Sequence, residues 1–304
     1  MYKEYSYNDN TGDAQIHVYH VFPGIEVAYT SVHMADFDFG LFETGERKNY
    51  VSIHYCKDGR IEQEVNQEFF YLMPGDCSIA IQDNTHKMFQ LPLKHYHGIS
   101  IGIDLDKTEN PLLPYLESCD CAPREALHHI CGGMKHVVLR SSEIAKRFFE
   151  DLYAVDVEAR LDYLRVKMPE LFFRIKHAKT DRSYYDRNLV PRTQVEIVKS
   201  VSDYITKNLN EKITIKQLSV AFGVSDTYLQ NAFRSVYGMP VISFIRAQKM
   251  QSAAQVLIHT DRTVDEIAKE FGYENESKFS AAFKKIMGDP PGIYRKEHSK
   301  IKII

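Results

Sequence analysis

The stretch "FGYENESKFSAAFKKIMG", Phe271–Gly288, carries the reading on which the C-terminal third turns. Phe279 and Phe283 are four residues apart, so in a helix they share one side. Asn275, Glu276, Ser277, Ser280 and Lys284 fall elsewhere and have nothing apolar to bury. Such a helix packs on one side and offers a polar surface on the other. Copy two begins earlier, with "TVDEIAKEFGYENESKFSAAFKKIMGDPP", and it has a partner upstream, "TIKQLSVAFGVSDTYLQNAFRSVYGMP". Thr214 matches Thr263, Leu218 matches Ile267, Phe222 matches Phe271 and Gly223 matches Gly272. After a one-residue insertion Leu229 matches Phe279, Phe233 matches Phe283, Gly238 matches Gly288 and Pro240 matches Pro290.

Each copy opens with a capping-box pattern, Thr214-x-x-Gln217 or Thr263-x-x-Glu266, which predicts a helix start. Each first helix ends at a Phe-Gly pair, where glycine accepts the positive φ of a tight exit. Small Ser219 and Ala268 let a second helix cross closely, which is helix–turn–helix geometry. Leu229, Phe233 and Val236 then face the core in copy one, and Phe279, Phe283 and Ile286 in copy two. The opposite faces carry Ser225, Thr227, Tyr228, Gln230, Asn231 and Arg234, or Asn275, Glu276, Ser277, Ser280, Lys284 and Lys285. Asn and Gln pair with adenine, Ser and Thr adapt, and Glu accepts from cytosine N4. Arg234, Lys284, Lys285, Arg295 and Lys296 suit phosphates, which add salt-dependent affinity without sequence information. A single motif of this kind is often just a solvated helix face; two in tandem argue for double-stranded DNA. Between the copies, Pro240–Thr260 is long enough for about five helical turns and would hold them apart.

Totals agree with this division. The chain has 304 residues, 44% of them hydrophobic, enough for about two domains with real cores. From Pro191 onward 17 Lys and Arg face 12 Asp and Glu, about +5, whereas the remainder holds 21 against 29, about −8. A basic module on an acidic body fits a polyanion partner. The opening "MYKEYSYNDNTGDAQ" has no apolar run like a signal peptide, and no stretch approaches a membrane span, so a cytoplasmic protein is expected. Five cysteines, an odd number, suit a reducing compartment better than a disulfide framework.

To about Asp106 the chain reads as β: "NYVSIHYC", "FFYLM", "CSIAIQ" and "HGISIGIDLD" are short, β-branched and aromatic. Asp-Gly in "KDGR", Lys57–Arg60, predicts a hairpin, and "MPGD", Met73–Asp76, another turn. Close strand spacing suggests a small barrel or sandwich. From Ser141 to Ala178 the pattern is helical, with Ile144, Phe148, Leu152 and Val155, then Leu161, Leu164, Met168, Leu171 and Ile175. These helices either cover the β region or pair with a second copy of the chain. The expected domains are 1–178, a polar linker at 179–192, and 193–304.

From about Gln194 to Lys296 the sequence resembles the AraC/XylS family of bacterial transcription regulators. Ile267, Ala268, Gly272, Tyr273, Ser277, Phe279, Phe283, Lys284, Gly288, Pro291, Tyr294 and Arg295 fill the family's pattern. Glu276 and Ala281 depart from it, and both lie on the reading face. The resemblance implies an α+β chain: an N-terminal cupin-like β-barrel with accessory helices, then two helix–turn–helix motifs joined by a linker helix. It implies promoter DNA, RNA polymerase, a small-molecule effector and a second copy of the chain as partners, with a lean towards activation. No catalytic residue, resident metal or cofactor is expected.

In the β region, His95 and His97 alternate with Ile99, Ile101 and Ile103, so a stripe facing a barrel interior would place both in a pocket. With His54, Cys56 and His86 they are the candidate effector contacts. A cupin metal site would want its His pair before the Gly-Asp turn and a Glu after it, which is not the order here. Cys119, Cys121 and Cys131, with His128 and His129, have loose metal or redox spacing. Aromatics such as Tyr19, Phe22, Tyr29, Phe37, Phe39, Phe42, Tyr50, Phe69, Phe70 and Tyr71 suit a ring-bearing ligand or simply a core. Two rival readings remain open: a metal-dependent cupin enzyme with a DNA-binding tail, and a constitutive DNA-binding protein whose β region only dimerises.

Overall fold

A computed structural model describes residues 2–9, 12–34, 37, 49–65, 68–82, 90–107, 112–119, 121–131, 136–140, 142–178 and 189–298. The chain forms two compact units, Met1–Leu189 and Val190–Ile304. Among the described residues no helix is long and apolar enough to cross a membrane.

Among its described residues the first unit contains nine strands: β1 (Tyr2–Asp9), β2 (Gly12–Phe22), β3 (Ile25–His33), β4 (Tyr50–Gly59), β5 (Ile61–Val65), β6 (Glu68–Leu72), β7 (Cys77–Gln82), β8 (Tyr96–Asp104) and β9 (His136–Leu139). Seven of them make one antiparallel sheet in the order β1-β2-β3-β8-β4-β7-β9. β5 and β6 pair as a separate hairpin. Among the described residues no ladder joins β1 to β9, so the expected barrel is not closed.

Both faces of the large sheet are covered. Val27, Tyr29, Val51, Ile53, Tyr55, Ile79, Ile99, Ile101 and Ile103 form one core with Phe148, Phe149, Leu152, Leu164, Met168 and Phe172. These last come from α3 (Glu143–Tyr153) and α4 (Val157–Lys176); α1 (Leu112–Ser118) and α2 (Pro123–Cys131) add Leu116 and Ile130. Tyr55 stacks on Phe149 with 4.6 Å between ring centres, and the Tyr29 hydroxyl donates to the Leu152 carbonyl at 3.0 Å. The opposite face carries Ile16, Val18, Val32, Cys56, Tyr96 and Val138 beneath Ile61, Phe70 and Leu72 of the β5–β6 hairpin.

Two expectations are corrected here. Lys57–Arg60 is not a hairpin turn. β4 runs on beside β8 through Asp58↔His97 and Gly59↔Tyr96 after a register shift, then the chain leaves for the hairpin as β5. Gly59 has φ +81°, and a Cβ there would sit 2.3 Å from the His95 carbonyl oxygen, so the Asp-Gly pair serves a bulged corner. The Met73–Asp76 turn does form: Asp76 N–H donates to the Met73 carbonyl at 2.9 Å, and the Met73 N–H to the Asp76 carboxylate at 2.9 Å. The buried Asp76 carboxylate also holds Arg140 in an ion pair. The second correction concerns the stripe of Ile99, Ile101 and Ile103, which faces α3 and α4 rather than the space under the hairpin.

The second unit is helical: α5 (Arg192–Lys207), α6 (Ile215–Phe222), α7 (Asp226–Tyr237), α8 (Val241–His259), α9 (Val264–Glu270), α10 (Glu276–Met287) and α11 (Pro291–His298). α8 packs against α5, α7, α9, α10 and α11.

Candidate nucleic-acid interface

Local sequence chemistry sets the two motifs. Thr214 accepts from the Gln217 N–H at 3.3 Å while Gln217 accepts from the Thr214 N–H at 2.9 Å. Thr263 and Glu266 make the same reciprocal pair at 3.2 and 2.8 Å. α6 leaves through Gly223 at φ +66°, and α9 through Gly272 at φ +80°. The next helices are capped by Ser225, which accepts from the Tyr228 N–H at 3.2 Å, and by Asn275, which accepts from the Lys278 N–H at 2.9 Å. Ser225 and Asn275 were expected at the reading surface; their oxygens are engaged as helix caps.

α7 and α10 each contain 12 residues and are built alike. Leu229, Phe233 and Val236 are fully buried behind α7, as are Phe279 and Phe283 behind α10. Phe233 packs on Phe244 of α8 with 5.1 Å between ring centres, and Phe283 on Tyr294 of α11 at 5.4 Å. The outer face of α7 presents Thr227, Asn231 and Arg234 exposed, Gln230 half-buried, and Tyr228 on its flank. Among the described residues, the side chains of Thr227, Gln230, Asn231 and Arg234 make no hydrogen bond or ion pair within the protein. α10 offers Glu276, Ser277, Ala281, Lys284 and Lys285 exposed and Ser280 half-buried. Its Lys278 is held by Glu274 at 2.6 Å.

Residues 218–297 match the family described as "Helix-turn-helix domain". The F1 operon positive regulatory protein of Yersinia pestis is 38% identical over 99 residues, 32% of this chain and 33% of that protein. The match therefore spans about a third of that relative's length. The Transposon Tn10 TetD protein of Escherichia coli is 30% identical over 100 residues, 33% of this chain and 72% of that protein. A solved C-terminal domain of AraT, a response regulator from Geobacillus stearothermophilus, is 32% identical over 33% of this chain and 84% of that domain, with a TM-score of 0.32. The chain belongs to the AraC/XylS family.

Within this AraC/XylS domain one expected phosphate contact has another job. Arg295 donates from Nε to the Leu257 carbonyl at 2.9 Å and from a terminal nitrogen to the Arg262 carbonyl, so it staples α11 to the end of α8. Lys296 is exposed.

The first unit scatters the other candidates. His54 points under the hairpin, where Nδ1 meets the Ser100 hydroxyl at 2.8 Å; burial pushes its pKa down to about 4. Its ring is enclosed even though part of the residue meets a small cavity of about 20 Å³, lined also by Ser52, Gln63, Ser78 and His136. Cys56 is buried nearby, its thiol pushed well up by burial. His95 precedes β8 and approaches Asp58 at 3.8 Å. His97 is half-buried and meets His33 ring to ring, Nε2 to Nε2 at 3.0 Å. Burial and then His33 lower its pKa. His54 and His97 thus occupy opposite faces of the sheet, and the expected shared pocket does not form. His86, Phe39 and Phe42 lie outside the described residues. Cys121 and Cys131 are buried while Cys119 is exposed, and all are free thiols. Among the described residues no group of three or more His, Cys, Asp or Glu could hold a metal ion.

Proposed function

We propose that this AraC/XylS protein is a cytoplasmic transcription regulator that binds promoter DNA through α7 and α10. The observation that carries it is the outer face of α7: Thr227, Gln230, Asn231 and Arg234 stand together without intramolecular partners. Polar groups held on a rigid helix with their hydrogen-bonding capacity free are what base-edge readout requires. Tyr228 flanks this surface, Glu276, Ser277 and Ser280 occupy the corresponding face of α10, and Arg234, Lys284 and Lys285 supply phosphate contacts. Selection of duplexes from a random library by the full chain, followed by footprinting, tests it. One enriched sequence protected by the wild type and lost with Gln230→Ala plus Asn231→Ala supports the assignment; protection that survives both overturns it.

The first unit is read as a cupin-like sensor and dimerisation domain acting on RNA polymerase through the bound DNA. The effector reading is supported by an apolar cleft of about 490 Å³ between the sheet and α2–α4, lined by Ile53, Ile79, Ile130, Phe149, Leu171 and Ile175. That volume suits a small molecule, whereas the 20 Å³ space beside His54 has room for about one water. The dimer reading is supported by Val166 and Phe173 on α4, 71% and 54% exposed. A metabolite panel scored by thermal shift tests the effector, and sedimentation of Phe173→Glu tests the dimer.

A further inference from the structure

α8 has apolar residues on both sides, and their order along the helix explains why. Val241, Phe244 and Ile245 are buried in its first half, and Met250, Ala253, Ala254 and Leu257 in its second. Val241 to Met250 is about two and a half turns at 3.6 residues per turn, so the buried stripe passes to the opposite side of the helix. The first stripe serves copy one, where Phe244 packs on Phe233 and Tyr237 with 5.1 and 4.6 Å between ring centres. The second stripe lies on the half nearer copy two in sequence. Lys249 falls on the flank between the stripes, roughly a quarter-turn from each.

From that flank a single ammonium group reaches both motifs. Lys249 Nζ donates to the Glu211 carbonyl at 3.2 Å, in the loop that leads into α6. It also donates to the Phe271 carbonyl at 3.0 Å, at the C-terminal end of α9. A helix C-terminus leaves carbonyls without intrahelical donors and carries partial negative charge, so a cation there is favoured on both counts. Gly272 keeps the approach open, since a Cβ at that position would lie 3.3 Å from Nζ.

We propose that Lys249 is a positioning residue that fixes the orientation of α7 relative to α10, and so sets the spacing of DNA half-sites the protein accepts. This rests on the DNA-binding reading above. The two bonds restrain the motifs from a flank of α8 that reaches both. Without them the stripes still hold each motif to α8, but the angle between the readers is less restrained.

The test uses the full chain and the duplex enriched by it, with one or two base pairs inserted or deleted between the two half-sites. Each base pair shifts the half-sites by about 3.4 Å and turns them by roughly 35°, so the wild type is expected to lose about tenfold affinity per step. Lys249→Met, which keeps the aliphatic stem, should bind the parent duplex within about threefold while its spacing penalty shrinks to about threefold or less. Lys249→Arg should restore the wild-type profile. Lys249→Gln, which donates through one amide, should lie between them and serves if the Met variant does not fold. A wild-type spacing profile in Lys249→Met or in Lys249→Gln overturns the role of Lys249, and so does an equal loss at every spacing. If no duplex is enriched by the wild type, the DNA-binding reading falls and this one falls with it.

Discussion

Copy one and copy two of the helix–turn–helix share cap positions, glycine exits and the matched aromatics Phe222/Phe271 and Phe233/Phe283, yet their outer faces diverge. At equivalent places Thr227 stands against Ser277, Gln230 against Ser280, Asn231 against Ala281, Arg234 against Lys284 and Ser235 against Lys285. Long amides that can pair with adenine are replaced by short or apolar side chains, and neutral Ser235 by a second cation. The scaffold is duplicated while the chemistry on it is divided: in the proposed function α7 is the better equipped to read bases, and α10 holds the backbone more than it reads sequence. Glu274 sharpens the contrast by engaging Lys278, the residue equivalent to Tyr228.

The largest expected effect tests whether the scaffolds are truly equivalent. Phe233 and Phe283 are both fully buried, so Phe233→Ala and Phe283→Ala should each cost about 3–5 kcal/mol. Urea unfolding of the two variants checks this. A cost near zero at either position would show that one copy is not packed as its twin is.

Division of labour predicts unequal effects on binding. Gln230→Ala or Asn231→Ala should each cost about 1–3 kcal/mol on the preferred site and relax selection at one base pair. Ser280→Ala should cost less than about 1 kcal/mol, because a single hydroxyl discriminates weakly. Equal losses in gel-shift titrations of the three variants would break the distinction between reader and holder. The phosphate residues should behave differently again. Arg234→Ala and Lys284→Ala should weaken all sequences alike, each flattening the salt slope by about one unit. Slopes measured on selected and unrelated duplexes separate the two classes of contact.

This pairing of alike and unlike was legible in the sequence because it rests on local rules. Thr214, Gln217, Thr263 and Glu266 declare helix starts, Gly223 and Gly272 declare exits, and Phe233 and Phe283 declare the buried side. The β region was legible only as strands. Alternation along "HGISIGIDLD" puts Ile99, Ile101 and Ile103 on one face, but with both faces of the sheet covered it could not say that they face helices while Ser100 meets His54. The Asp58-Gly59 pair has the same local chemistry in a hairpin turn and a bulged corner, and only pairing of β4 with β8 decides between them. Lys249 and Arg295 were hidden for a different reason. Both bind backbone carbonyls, and a carbonyl carries no trace of the residue that offers it.

The smallest expected difference between the copies lies in their capping boxes. Copy one closes its box with Gln217, which does not titrate, and copy two with Glu266, whose carboxylate is held below its usual range, first by the Thr263 backbone N–H. A carboxylate with a lowered folded pKa stabilises the folded state at pH values above its ordinary value, here 4.5. That contribution fades as pH falls from there through the folded value, because the protonated acid is a poorer acceptor for the Thr263 N–H. Acidification below pH 4.5 should therefore loosen the start of α9 before that of α6. Amide hydrogen exchange at the first turn of each helix, corrected for the intrinsic pH dependence, would show it. Glu266→Gln should make the two starts respond alike, and an unchanged difference in that variant would place its cause elsewhere than the box.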